Sequence, residues 1–203
     1  MIEVELKCFL SPEQEEVLIE DALFIGQEEL CDVYYDLPHY ELSLKDFWLR
    51  KRNGVFLLKT PAGGGELSVV ARRNEYESHD DICRALELPL EGDLEQKLIK
   101  AGYQPLYTLF QMRRKYKKDD IAIDLDRVTF DGGSCERCEL EILVERQEDV
   151  LSATERLVLF AQKYDLQPLR LEDGAAKLIG LIKKINPEHY ALLQEAFNKS
   201  NKE

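Results

Sequence analysis

Glu3, Glu5 and Lys7 occupy alternate positions of the opening IEVELKCF, with Ile2, Val4, Leu6 and Cys8 between them. Period two marks a β-strand, whose successive side chains point to opposite faces. The pattern recurs as Asp124 and Asp126 between Ile123 and Leu125, and as Glu139 and Glu141 beside Leu140, Ile142 and Val144. Elsewhere the charges are positive: Arg50 and Arg52 share a face with Trp48, Lys59 lies opposite Phe56 and Leu58, and Arg113 shares a face with Lys115. Crowded carboxylates repel one another at neutral pH and require cations. Oxygen-only donors suit Mg²⁺, with Mn²⁺ as the alternative. Paired arginines and lysines require anions, and phosphate matches the guanidinium fork. A ligand with several phosphates and divalent ions satisfies both sets. His39, His79 and His189 show no ligand-like spacing, which argues against histidine-based metal or triad chemistry.

Two arrangements of the strands fit this pattern. An open antiparallel sheet packs one face on helices and leaves the charged face wet, where the charges do nothing special. A sheet closed into a barrel with its charged face inward forms a polar tunnel, with helices covering the apolar outside. The elements available are strands at 2–8, 31–36, 47–61 (a hairpin turning at Asn53-Gly54), 66–76, 105–118, 120–130 and 136–145. Helices are expected from Ser11-Pro12 to about Gly26, at 78–88, 94–101, 150–165 and 174–185, and from Pro187 to Phe197. No repeat or low-complexity linker divides the chain, so one α+β domain over residues 1–203 is expected.

The net charge of −13 argues against nucleic acid as a partner. No apolar run approaches the ~20 residues needed to span a bilayer, and no secretory leader pattern opens the sequence. Five cysteines, an odd and scattered set, suggest reduced thiols and a cytoplasmic location. Cys135-x-x-Cys138 lacks the two further ligands of a zinc site and reads as a turn carrying two thiols. Arg72, Arg73, Lys117 and Lys118 read as surface charges.

The opening Glu3-x-Glu5-x-Lys7 resembles the E-x-E-x-K signature of the CYTH, or triphosphate tunnel metalloenzyme, superfamily. VYYDLPHYELSL, FWLRKR, GAAKLIGLI and NPEHYALLQ, in that order, resemble stretches of its branch that hydrolyses thiamine triphosphate. The resemblance implies an eight-stranded antiparallel β-barrel, α+β in class, with a polar interior covered and plugged by helices. It implies that Lys7, Arg50, Arg52, Lys59, Arg113 and Lys177 hold triphosphate oxygens, Lys177 from a helix that closes one tunnel end. It also implies that Glu3, Glu5, Glu75, Asp124, Asp126, Glu139 and Glu141 are metal-site acids, with Glu77 close to Glu75. Lys7, Tyr34 and Lys59 are the expected catalytic residues.

Trp48 shares the face of Arg50 and Arg52, so its ring is expected in the tunnel rather than in the apolar jacket. An aromatic face attracts a cation such as the thiazolium of thiamine by ~0.5–2 kcal/mol. Metal-dependent hydrolysis of thiamine triphosphate by a monomer is therefore the expected function. An inorganic or nucleoside triphosphatase, a class IV adenylate cyclase and a polyphosphate-binding module without catalysis remain alternatives.

Overall fold

The structure, a computed structural model, describes residues 2–62, 70–131, 133–169 and 177–200. Eight strands form its frame: β1 (Ile2–Phe9), β2 (Leu23–Asp36), β3 (Trp48–Arg52), β4 (Val55–Pro61), β5 (Val70–Tyr76), β6 (Gln104–Lys118), β7 (Ile121–Phe130) and β8 (Gly133–Val144). They pair antiparallel in the order β5-β4-β3-β2-β6-β7-β8-β1, and β1 pairs back onto β5. That last pairing closes an eight-stranded barrel, and with its helices the fold is α+β. A two-residue strand, β9 (Gln167–Pro168), extends the edge beside Cys8 and Phe9.

Local chemistry sets the joints. Asn53 and Gly54 both take positive φ, 46° and 89°, as a tight hairpin between β3 and β4 requires. Ser11 and Gln14 form a reciprocal capping box that starts α1 (Pro12–Ile19). This helix ends well before Gly26. Ala22, Leu23 and Ile25 match a helical period, but Leu23 and Phe24 pair with Lys117 and Tyr116 of β6, so β2 begins at Leu23 instead of Cys31. Long-range pairing here overrides a local period.

Closure follows from burial on the outer face. Val4, Leu6, Ile123, Leu140 and Ile142 pack beneath Val150, Ala153, Leu157 and Phe160 of α4 (Val150–Lys163). Leu49, Phe56 and Leu58 pack beneath Ile82 of α2 (His79–Ala85) and Leu94 and Leu98 of α3 (Leu94–Lys100). Each buried aliphatic side chain contributes about 1.5–3 kcal/mol relative to exposure. Alternation then leaves the charged residues no face but the inner one.

The third cluster lies at one end of the barrel. Tyr34, Tyr107, Leu109, Val128 and Phe130 meet Leu178, Leu181 and Ile182 of α5 (Lys177–Ile185) and Tyr190 and Leu193 of α6 (Pro187–Ser200). Cys135 and Cys138 lie within β8, not in a turn. Three positions apart on a strand they face opposite ways: Cys138 is in the outer jacket, opposite Cys8 of β1, and Cys135 packs against the α5 cluster. The pair therefore cannot chelate one ion. No helix among the described residues is long and apolar enough to cross a membrane.

Candidate functional site

A cavity of about 380 Å³ lies within the barrel, lined by residues from all eight barrel strands and from α5. β1 contributes Glu3, Glu5 and Lys7; β2, Tyr34; β3, Trp48, Arg50 and Arg52; β4, Leu57 and Lys59; β5, Arg73 and Glu75; β6, Arg113 and Lys115; β7, Asp124; and β8, Glu139 and Glu141. Glu77 also lines it, so the Glu75/Glu77 pair is brought in together. Strand register does the assembly: Lys7 faces Glu139, Glu5 faces Glu141, Asp124 faces Glu139, Lys59 faces Glu75, and Tyr34 faces Arg50.

The charges neutralise one another. Lys59 Nζ bonds Glu3 and lies 3.9 Å from Glu5 and 3.8 Å from Glu75. Lys7 Nζ is 2.7 Å from Glu5 and 3.7 Å from Glu139. Arg113 donates to both oxygens of Asp126 at 2.7 Å, to Glu139 at 2.9 Å, and to Asp124. Arg52 forms a two-point fork with Asp32, both bonds 2.7 Å, and Asp32 is fully buried. Asp126, expected among the metal acids, is thus turned onto Arg113. Arg50 Nη1 is 3.5 Å from the Tyr34 hydroxyl, to which it donates.

Burial and neighbouring charge compete at each acid. Burial alone would raise Glu5, but Lys7 and Lys59 outweigh it and hold the carboxyl at about 2. Burial, reinforced by Glu3, pushes Glu141 up to about 8, and burial with Glu5 raises Glu3. Burial opposes the charge on Lys7, yet Glu5 and Glu139 raise its affinity for the proton, so Lys7 is a fixed cation. Asp124 Oδ1 is buried without a hydrogen-bond partner. An all-oxygen set with an orphaned carboxylate oxygen and acids that resist ionisation side by side suits a hard divalent cation in donor chemistry. Among the described residues, however, no three such ligands converge. Glu3, Glu5, Glu75, Asp124 and Glu139 are each turned towards a lysine or arginine, while Glu141 shares a hydrogen bond with Glu3.

The cavity changes character along its length. On β6, inward positions run from Arg113 through Gln111 to Leu109 and Tyr107; on β7, from Asp124 and Asp126 to Val128 and Phe130. Trp48 and Tyr34 border this apolar end, where Leu178 and Ile179 of α5 also line the cavity. Trp48 both faces the cavity and packs against the α5 cluster, which combines the two placements its sequence position allows. α5 begins at Lys177, and the side chain of Lys177, with residues 174–176 of the expected helix, lies outside the described residues.

Three participants escaped the sequence reading. Arg73, expected at the surface, lines the cavity and bonds Asp46; its odd-numbered phase with Glu75 and Glu77 was the available signal. Asp32 shares the phase of Tyr34 on β2. Asp46 precedes β3 in a loop, and no strand period reports it.

A closed barrel with acids and bases facing one lumen defines a tunnel-type protein. The chain belongs to the CYTH domain family, whose pattern matches residues 1–174. The thiamine-triphosphatase of Macaca fascicularis is 28% identical over 210 residues, spanning 96% of this chain and 90% of the relative. That of Homo sapiens is 27% identical over 212 residues with the same coverages. Among solved structures, a protein of Pyrococcus horikoshii superposes with a TM-score of 0.65 at 25% identity, covering 90% of this chain and 99% of its own. A Hippeastrum protein with a dominant triphosphatase activity shares the fold at a TM-score of 0.51 and 16% identity, over 82% of this chain and 89% of its own.

Proposed function

We propose that the protein hydrolyses thiamine triphosphate to thiamine diphosphate and phosphate, with Mg²⁺ as the activating ion and Mn²⁺ as a substitute. One observation carries this reading: the charged section of the lumen runs into an aromatic and aliphatic end formed by Trp48, Tyr34, Leu178 and Ile179. A triphosphate fits the first section, and a flat organic cation fits the second. The kinship with thiamine-triphosphatases supports the same substrate.

In this reading Arg50, Arg52, Lys59 and Arg113 hold phosphate oxygens along the lumen, and Asp32 and Asp126 fix the planes of Arg52 and Arg113. Phosphoryl transfer depends chiefly on such positioning and on charge stabilisation. Lys7, held protonated by Glu5 and Glu139, stabilises developing negative charge and cannot serve as a base. Tyr34, beside Arg50, orients the phosphate that Arg50 holds. Glu3, Glu5, Glu75, Asp124, Glu139 and Glu141 are the acids available to a metal. Bound Mg²⁺ would neutralise phosphate charge and favour ionisation of the attacking water. We infer no protein or nucleic-acid partner and a monomeric, cytoplasmic state.

Phosphate release from thiamine triphosphate, tripolyphosphate and ATP, each with Mg²⁺, tests the proposal. Preference for thiamine triphosphate supports it. Preference for tripolyphosphate or ATP replaces it with an inorganic or nucleoside triphosphatase. Cyclic AMP formation would reveal a cyclase, and tight binding without turnover a binding module.

A further inference from the structure

Asp46 sits at the junction of the 3₁₀ turn Ser43–Lys45 and β3, with φ 60° and ψ 29°, in the left-handed region. An L-residue rarely adopts this conformation, though aspartate and asparagine tolerate it better than most. The backbone there swings the carboxylate towards the cavity, which Asp46 lines. Its Oδ1 accepts the indole N–H of Trp48 at 2.7 Å, and its Oδ2 accepts from Arg73 Nη1 across the lumen wall from β5. The three side chains form a bracket: arginine on carboxylate, carboxylate on indole.

We propose that Asp46 is a positioning residue for substrate selection, fixing the ring of Trp48 so that its face receives the cationic heterocycle of an organic triphosphate. The inference rests on the thiamine triphosphate reading given above. A tryptophan free to turn about its side-chain bonds pays rotamer entropy when a ring stacks on it; a hydrogen-bonded indole has already lost that freedom. The N–H lies in the ring plane, so its bond to Asp46 restrains the plane and leaves the π-face available to a cation. Arg73 in turn keeps the carboxylate in place. Two elements distant in sequence, the turn before β3 and the strand β5, thereby set the orientation of one aromatic face.

Two variants of the full chain separate this role from a merely structural one. Asp46→Gly removes the carboxylate and takes positive φ without strain. Asp46→Asn keeps an acceptor for the indole N–H on the same backbone. Trp48 is the single tryptophan of the chain, so intrinsic fluorescence reports on this ring alone. Asp46→Gly is expected to lower kcat/KM for thiamine triphosphate, relative to tripolyphosphate, by about five- to tenfold, chiefly through KM, as loss of one charge-assisted hydrogen bond implies. Its Trp48 emission shifts to longer wavelength with lower anisotropy. Asp46→Asn stands nearer the parent protein in both readouts. Equal losses on the two substrates, or unaltered Trp48 emission and anisotropy in Asp46→Gly, would overturn the proposal. Should the parent protein ignore thiamine triphosphate, the substrate reading falls by itself. The bracket is then decided by the fluorescence alone: a changed signal in Asp46→Gly sustains it and an unchanged one removes it.

Discussion

The Arg113 guanidinium grips Asp126 at two points, Nε and Nη2 each 2.7 Å from a carboxylate oxygen, while the same Nη2 reaches Glu139 at 2.9 Å. A cation suited to phosphate is thus engaged by carboxylates, some of them suited to metal. Lys59 on Glu3 and Lys7 on Glu5 repeat the arrangement. A lumen without ligand keeps its buried charges paired because an unpaired buried charge is strongly destabilising. On the proposed function, metal and triphosphate would enter by exchange: phosphate would take the bases, and metal the acids they release.

This exchange predicts coupling. Mg²⁺ alone leaves cations unpaired, and tripolyphosphate alone leaves carboxylates unpaired, so each should raise the melting temperature little. Added together they should raise it by more than the sum of the separate shifts. Thermal unfolding followed by calorimetry checks this, and a strictly additive response would count against the exchange.

Glu139 is the hub of two register pairs and one side-chain bond, facing Lys7 on one strand and Asp124 on another while accepting from Arg113. Glu139→Gln keeps the shape and removes the charge. Its kcat at saturating Mg²⁺ should fall about 10–100-fold, the range found when groups supporting a metal site are altered. Steady-state turnover at parent level would refute the assignment of Glu139.

Trp48→Ala removes the aromatic face while retaining the charged section. Efficiency on thiamine triphosphate should fall at least several-fold more than on tripolyphosphate, in keeping with ~0.5–2 kcal/mol for a cation on a ring. Parallel kcat/KM measurements on both substrates decide it. Matching losses would assign Trp48 to packing against α5 alone.

His189 of α6 ties the apolar end of the barrel to the β2–β3 connection. Ser43 Oγ donates to Asp36 at 2.7 Å, so His189 Nε2 donates to Ser43 at 2.8 Å and Nδ1 accepts from the Tyr107 hydroxyl at 2.7 Å. Tyr40 stacks on the ring at 3.8 Å. Burial, only partly offset by Asp36, depresses the imidazole from 6.5 to about 4. The folded protein therefore binds this proton less readily than the unfolded chain, and stability must fall as pH drops below 6.5, levelling near 4. The melting temperature of the parent protein should lose its margin over His189→Gln across that window. A margin that stays constant from neutral to acid would contradict the neutral, buried imidazole.

Sequence alone determined the alternation. Glu3, Glu5, Lys7, Arg50, Arg52, Lys59, Arg113, Asp124, Glu139 and Glu141 were legible because a strand has period two and each charged row has an apolar row behind it. The Asn53-Gly54 hairpin and the Ser11 cap were legible because their chemistry is local. Tertiary structure decided which way the sheet rolled, since the β1–β5 pairing that closes the barrel joins strands far apart in sequence. It also decided that β2 begins at Leu23, that Asp126 serves Arg113, and that Arg73 and Asp46 meet at Trp48. These depend on distances between strands, and a one-dimensional period carries the direction of a side chain but not the identity of what stands opposite it.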